Sequence, residues 1–589
     1  MAVSALLLFA GAARAEGPAF DLVVQAPQPL RELLDRHLEL GRFRAVADLD
    51  EAELARLITL ADRDARELLA TQGHFAPKIT ITREPAGAAT PRPRLLVRVE
   101  PGEPARVTDV RITFEGDLAQ SAEADAIAQR EAVVAGWALP AGRVFTQAAW
   151  DDAKMQALQA VLARRYPAAR IAATEADVDA AAGTARLAVR IDSGPLYRLG
   201  PVRVAGMSLY DPQLVERLSR LPPGSPFDRA RLLDAQARLA ASGWFDSAFL
   251  HVDPQTDPEA AVVQATVRES PLRKWVLGIG FTTDGGPRLS AEHTHNRVPW
   301  LGWRAITRAQ AERRNPFLQA DLTAPPEANG WHWTLLGRTE KLDDGERITQ
   351  AQRLRLGRAR AEDRFDRGFF VQLDRASSRE PAALRLTDVE TGDGSAVFAG
   401  VTWTGRWFDD LQAPTRGWGL GAEVGAGLTF GSRREPFQRT LVRGLAYQPL
   451  AEGRIQWRGE AAAVFARSEA RIPATQLFRT GGATSVRGYA YQDIGVPLAG
   501  GQVGPGRLMM VGSAEWQRPL RREGLPTALE SALFVDVGAV GDEPGDLRAK
   551  VGVGGGVRWK SPVGLLEVAL AWGVQPRRVR LHFNAGFVF

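Results

Sequence analysis

From about residue 271 to the C-terminus the chain alternates apolar with small or polar residues at period two, strand after strand, and few architectures can use that pattern. The last residues show it best: Val579, Leu581, Phe583, Ala585, Phe587 and Phe589 fall on one face, with Arg580, His582, Asn584 and Gly586 on the other. Upstream, Leu566, Val568, Leu570 and Trp572 alternate with Glu567, Ala569, Ala571 and Gly573. Before them, Val551, Val553, Val557 and Trp559 alternate with Gly552, Gly554, Gly556 and Arg558. Apolar outward and polar or small inward, over roughly ten residues at a time, is the signature of a strand in a transmembrane barrel. At roughly 20 residues per strand with its loop, the segment 271–589 accommodates 16 antiparallel strands. A soluble β-sandwich is the alternative, and it seldom needs alternation sustained over such a length.

Tryptophan placement agrees with a change of solvent at this boundary. Of 15 Trp, only Trp137, Trp150 and Trp244 precede residue 271, and the other twelve lie between Trp275 and Trp572. Trp and Tyr settle at membrane–water interfaces, so the expectation is a belt at each of the two. No run of about 18 apolar residues is present for a spanning helix. A net charge of +5 over 589 residues leaves no electrostatic footprint for nucleic acid. Without any Cys, disulfides, thiolate catalysis and cysteine-ligated zinc are excluded. The N-terminus, an apolar run Val3–Ala10 followed by Ala13-Arg14-Ala15, reads as a secretory signal over residues 1–15. A buried helix is the competing reading of that stretch.

Between signal and barrel the chain repeats itself. Residues 102–116 and 194–206 match at Arg106/Arg198 and Val110-Arg111/Val202-Arg203. In both copies a helix start follows, with Thr146 and Asp228 placed to take up free backbone N–H groups. The helix from Arg229 to Ser242 puts Leu232, Leu239 and Ala240 near one stripe, and Gly243 ends it. A more diverged copy has a helix capped by Asp50 with Glu53 in capping-box position, then Gly73-His74-Phe75 and two strands. The expected units are 19–101, 102–194 and 195–270, each β-α-α-β-β, followed by the barrel at 271–589.

This order, three times after a signal, resembles the POTRA (polypeptide-transport-associated) domain. The stretch 477–495, LFRTGGATSVRGYAYQDIG, carries Val486-Arg487-Gly488-Tyr489 and resembles the inward-folded loop of the BamA superfamily of outer-membrane assembly and secretion proteins. Gly488 would allow a tight turn, and Arg487 must reach a partner in the lumen. Phe534, Asp536 and Gly538 resemble that family's F-x-D-x-G motif, which implies that Asp536 contacts Arg487; unrelated lumen charges are the bland alternative. Leu581–Phe589 is similar to the terminal β-signal read by the barrel assembly machinery, and Asp409–Trp418 to the D-x-x-x-P-T-x-G hairpin.

Three arms with a barrel of this size resemble the translocation-and-assembly-module members of the superfamily. That resemblance implies a bacterial outer-membrane location with the arms in the periplasm, and an assembly or translocation role for unfolded outer-membrane or autotransporter clients. It further implies a TamB-like inner-membrane partner and contact with outer-membrane lipid. It also implies a lateral seam between first and last strands, for which Trp275, Gly278, Gly280, Phe583, Gly586 and Phe589 are the candidates. Glycines in a strand weaken pairing. A two-partner-secretion transporter and a passive pore or receptor remain open as other readings. No catalytic residue, metal site or cofactor is expected. His293 and His295 share a strand face beside Glu292 but lack a third ligand, and no phosphate loop or G-x-S-x-G elbow is found. Arg353, Arg355, Arg358 and Arg360 suggest either lumen and rim charges or an anion stripe able to touch lipopolysaccharide.

Overall fold

The computed structural model describes residues 20–46, 49–85, 92–345, 347–379, 386–411, 413–431, 433–561 and 564–588. The expected signal, residues 1–15, and the seam candidate Phe589 lie outside the described residues. The chain packs as two compact units. One takes in the chain up to Ala205 with Leu221–Gln236 and Phe249–Thr266; the other takes in Gly206–Arg220, Ala237–Ala248 and everything from Val267.

The first module is β1 (Asp21–Gln25), α1 (Leu30–His37), α2 (Glu51–Thr71), β2 (Lys78–Glu84) and β3 (Arg94–Glu100). Next come β4 (Arg106–Glu115), α3 (Asp117–Gln120), α4 (Ala124–Ala135), α5 (Gln147–Leu162), β5 (Arg170–Asp179) and β6 (Thr184–Asp192). The third has β7 (Leu199–Ala205), α6 (Gln213–Ser219), α7 (Arg229–Ala241), β8 (Phe245–Val252) and β9 (Ala261–Glu269). All three sheets share one order, β1-β3-β2, β4-β6-β5 and β7-β9-β8, with the first strand parallel to the last because the helices between them form a crossover. These are small mixed α/β domains of the POTRA kind.

Local chemistry explains the elements. Thr146 Oγ1 accepts from Ala149 N at 3.1 Å and Asp228 Oδ1 from Ala230 N at 2.8 Å, so both helix starts are capped. Asp50 accepts from Glu53 N at 2.7 Å, but the Glu53 carboxylate turns to Arg56 (2.6 Å) and leaves the capping box half made. The buried stripe of α7 is Leu232, Ala235 and Leu239; Ala240 faces solvent, since i, i+3 and i+7 align better on a straight helix. The matched arginines do the same work in both copies: Arg106 Nη1 donates to Gly142 O (3.0 Å) and Arg198 Nη1 to Gly224 O (3.1 Å).

Sixteen described strands close the barrel in chain order. They are β10 (Arg273–Thr282), β11 (Gly286–His295), β12 (Arg304–Ala311), β13 (Phe317–Thr323), β14 (Trp331–Asp343), β15 (Ile348–Ala361), β16 (Phe365–Arg379) and β17 (Gly394–Phe408). After β18 (Gly417–Phe430), β19 (Pro436–Leu450) and β20 (Gly453–Ala466), a long loop holds the short pair β21 (Val496–Pro497) and β22 (Val503–Gly504). The wall resumes with β23 (Leu508–Arg522), β24 (Leu525–Gly541), β25 (Lys550–Ser561), β26 (Gly564–Gly573) and β27 (Arg578–Val588), and β27 pairs antiparallel with β10. No helix among the described residues is long and apolar enough to cross a membrane. Strands can cross because closure pairs the backbone of each with its neighbours.

The alternation holds on the wall: Val535, Leu570, Val579 and Leu581 are exposed, whereas Phe534, Asp536, Ala569 and Ala571 are buried. Two expectations change. Exposed Trp275, Trp300, Trp333, Trp418, Trp457 and Trp559 all lie toward the end where Arg273 enters the barrel, and Trp572 is the one exposed Trp at the opposite end. The belt is one-sided. The lumen is also less polar than the pattern suggests, since inward Phe370, Phe398 and Phe437 pack in series with centroids 5.7 and 5.9 Å apart, the first pair tilted and the second stacked. Facing glycines make room: a Cβ at Gly425 would meet Phe398 Cζ at 2.6 Å.

Candidate functional site: the inward loop and the seam

The loop after β20 folds back onto this aromatic layer. Phe478, Val486, Tyr489 and Ile494 are buried in one cluster with Phe370, Phe398 and Phe437. Bridges Phe478↔Gly506 and Thr480↔Ile494 fold the loop on itself. Val486 is fully buried and sits where Gly538 leaves space, because a Cβ there would stand 2.6 Å from Val486 Cγ2.

Arg487 and Asp536 are joined by a fork. Arg487 Nε donates to Asp536 Oδ2 at 2.7 Å, Nη2 to Oδ1 at 2.9 Å, and the Arg487 backbone N–H to Oδ2 at 3.1 Å. The guanidinium lies 3.3 Å from the Phe534 ring centroid, a cation–π contact that completes the motif. Asp536 has no exposed surface, and Ser513 Oγ donates to it at 2.6 Å. A second acid, Glu515, takes Arg487 Nη1 at 2.6 Å and in turn Arg558 Nη2 at 3.1 Å, while Arg558 also reaches Glu567 at 3.2 Å. The loop cation is thus shared between two carboxylates on adjacent strands, with the excess negative charge passed to Arg558. Buried charges survive on such terms.

Gly488 has φ +94°, open to glycine at little cost, and a Cβ there would lie 2.7 Å from Gly573 N. A Cβ at Gly552 would overlap the Arg487 carbonyl oxygen. Tyr489 Oη bonds Gln575 Oε1. Two contacts tie the loop to both sides of the seam. Ala483 N donates to Asp284 Oδ2 in the β10–β11 turn at 2.9 Å, and Gly488 N donates to His582 Nε2 on β27 at 3.0 Å.

The seam itself is short. β10 and β27 pair from Gly278↔Val588 to Thr282↔Asn584, whereas β14 and β15 pair from Trp331↔Arg360 to Asp343↔Ile348. Gly280 faces Gly586 directly, so neither contributes a side-chain contact across the join. Phe583 stands just above, its N–H donating to Thr283 Oγ1 at 2.8 Å and its ring 5.9 Å from Phe281. Trp275 has no partner on β27 among the described residues; it lies against His293 of β11, centroids 4.4 Å apart, below the paired stretch. The first and last strands slip past one another there, which removes Trp275 from the seam.

The remaining candidates resolve into structure. No group of three or more metal-ligating side chains occurs among the described residues. Arg353 pairs with Asp374 and Arg355 with Glu423, both facing the lumen, while Arg358 pairs with Glu327 and Arg360 with Glu362 at the entry end. The four do not form one stripe. In the Asp409 hairpin the carboxylate accepts from Thr415 N and Arg416 N, each at 3.0 Å, and from Thr415 Oγ1; these bonds, the hydroxyl first, hold its pKa well below the usual carboxylate range. Sequence reasoning overlooked Glu515, Arg558, Asp284 and His582. Strand parity alone pointed each of the strand-borne three inward, but nothing in the sequence told which inward charge meets the loop.

Comparison with known proteins agrees with this geometry. Residues 340–589 match the Omp85 superfamily domain. The outer membrane protein assembly factor BamA of Nitratidesulfovibrio vulgaris is 24% identical over 404 residues, 66% of this chain, and the chain spans about half (50%) of that relative's length. Among solved structures, BamA from Haemophilus ducreyi lacking POTRA domains 1-3 superposes with a TM-score of 0.60 at 16% identity, covering 82% of this chain and 100% of that one. CdiB from Escherichia coli gives a TM-score of 0.46 at 14% identity, covering 83% and 91%. The sequence match over residues 340–589 is thus to the Omp85 superfamily domain, and it falls on a closed fold of sixteen strands with small mixed α/β modules before it.

Proposed function

We propose that the chain is an outer-membrane assembly and translocation factor of the TamA type, not an enzyme, that helps unfolded outer-membrane or autotransporter clients into or across the membrane. Its three modules lie in the periplasm and engage a TamB-like partner, offering sheet edges such as β2 and β5 for strand addition. The observation that carries this reading is the short, glycine-faced seam with the inward loop bonded to both of its sides. A barrel normally abolishes edges; a join this brief is where an edge is most cheaply exposed to a client strand.

The test is a lock. The native chain has no Cys, so Phe281→Cys with Ala585→Cys, directly opposite in register, gives one defined crosslink. Oxidation should abolish client insertion and reduction should restore it. Full activity while crosslinked would exclude gating at this seam. Co-purification from membranes should bring down a large periplasm-spanning protein; its absence, with activity intact, would remove the TamB-like partner from the reading.

A further inference from the structure

The outward wall changes character in one sector. On β14–β16, outward residues run Trp333, Leu335, Gly337 on the first strand and Leu356, Leu354 on the second, then turn polar toward the end opposite the entry. There Thr339, Gln352 and Arg375 form one register row, and Lys341, Gln350 and Ser377 the next. Thr339, Gln350, Gln352, Arg375 and Ser377 are exposed, and inward neighbours Gln372, Asp374 and Ala376 are buried, so the rows face away from the lumen. Ser395 extends the first row onto β17, and beyond it the wall at the same end is mostly apolar, with Gln438 an exception: Leu318 borders the first row on β13, and Phe430, Phe465, Met510 and Val579 continue around the barrel. The two rows line a cleft of about 640 Å³ with Pro316, Leu318 and Glu340 at its edge, the Glu340 carboxylate being held by Arg338 at 2.6 Å.

We infer that this cleft seats the headgroup of a phosphorylated glycolipid of the outer leaflet. The inference rests on the outer-membrane reading of the barrel. A lipid tail cannot satisfy an outward guanidinium, and Arg375 makes no ion pair among the described residues. Among the described residues Lys341 has a single loose ionic partner, Asp343 at 3.7 Å. Two cations flanking amides and hydroxyls match an anionic, hydroxyl-rich ligand: phosphates for the cations, sugar hydroxyls for Gln350, Gln352, Thr339 and Ser377. Lys341 and Arg375 are two strands and two residues apart, roughly 12 Å between Cα atoms from strand spacing and rise. A disaccharide with a phosphate at each end covers that span, and its acyl chains would run down over Leu354, Leu356 and Leu373.

The test uses the full chain in detergent micelles, with lipid A as probe and bound lipid read by native mass spectrometry. The wild type should retain lipid A and not its dephosphorylated form. Lys341→Gln with Arg375→Gln should lower retention roughly tenfold to thirtyfold, while Lys341→Arg with Arg375→Lys should restore it. Circular dichroism and heat-modifiable gel mobility, unchanged in both, separate a lost site from a lost barrel. Retention by the Gln variant equal to wild type, equal retention of the dephosphorylated lipid, or equal retention of phosphatidylglycerol would each overturn the site. Because the seam lock reads client insertion and this test reads bound lipid, failure of one leaves the other standing.

Discussion

At the scale of single residues, the balance around Arg487 decides the state of the loop. Removing the guanidinium leaves the fully buried Asp536 without a cation, Glu515 keeping Arg558, whereas removing Asp536 leaves Arg487 still held by Glu515. Breaking one side of a buried pair costs about 3–5 kcal/mol. Arg487→Ala should therefore lower the temperature at which the barrel loses its compact gel mobility, and Asp536→Asn should lower it less. An Arg487→Ala protein as stable as wild type would show that the pair is ornamental. Gly552→Ala is a second, purely steric probe: its methyl group meets the Arg487 carbonyl, so the loop must shift even though no charge has changed. Tyr489 and the loop should then become accessible to protease added from outside. The motif members were legible because their residue types are unusual on a wall; Glu515 and His582 were not, since an inward Glu or His is ordinary until the loop is seen lying on it.

At the scale of elements, the modules owe their shape to local rules that can be read along the chain, such as caps at Thr146 and Asp228 and a positive-φ glycine after α7. What could not be read is the long-range capping of the segment after β7. Glu269, at the end of β9, accepts from Ser208 N at 2.8 Å, from Leu209 N and Tyr210 N at 2.9 Å, and from Ser208 Oγ at 3.0 Å. Burial pushes this carboxyl up, but the four donors together outweigh it and hold it below the ordinary Glu value. A depressed folded value means that the stabilisation is complete above the unfolded value, roughly pH 4.3, and is lost as pH falls through the lower folded one. Hydrogen exchange at the Ser208, Leu209 and Tyr210 amides should be slower in wild type than in Glu269→Gln at neutral pH, and the difference should shrink only as pH falls below the ordinary Glu value. No difference at neutral pH would make the carboxylate irrelevant to this turn.

At the scale of the whole molecule, the barrel explains both the alternation and the one-sided Trp belt. With six exposed Trp near the entry end and Trp572 alone at the other, brominated lipid confined to the entry-side leaflet should quench most of the exposed Trp emission, and the same lipid in the opposite leaflet little. Equal quenching from both would mean that the barrel sits otherwise in the bilayer. By itself, the sequence determined the class of fold: period-two alternation fixes which side chains face lipid, and a repeat at constant spacing fixes the order of strands and helices in each module. Those are local properties, set by side-chain geometry within a few residues. Only the tertiary structure decided the rest. Register set how briefly β10 and β27 meet and dropped Trp275 from the seam. Closure brought Glu515, Asp284 and His582, far apart in the chain, onto one loop, and register put Lys341 and Arg375 on one face of the outer wall. Contacts between distant strands depend on pairing offset and curvature, and neither is written in any short stretch of sequence.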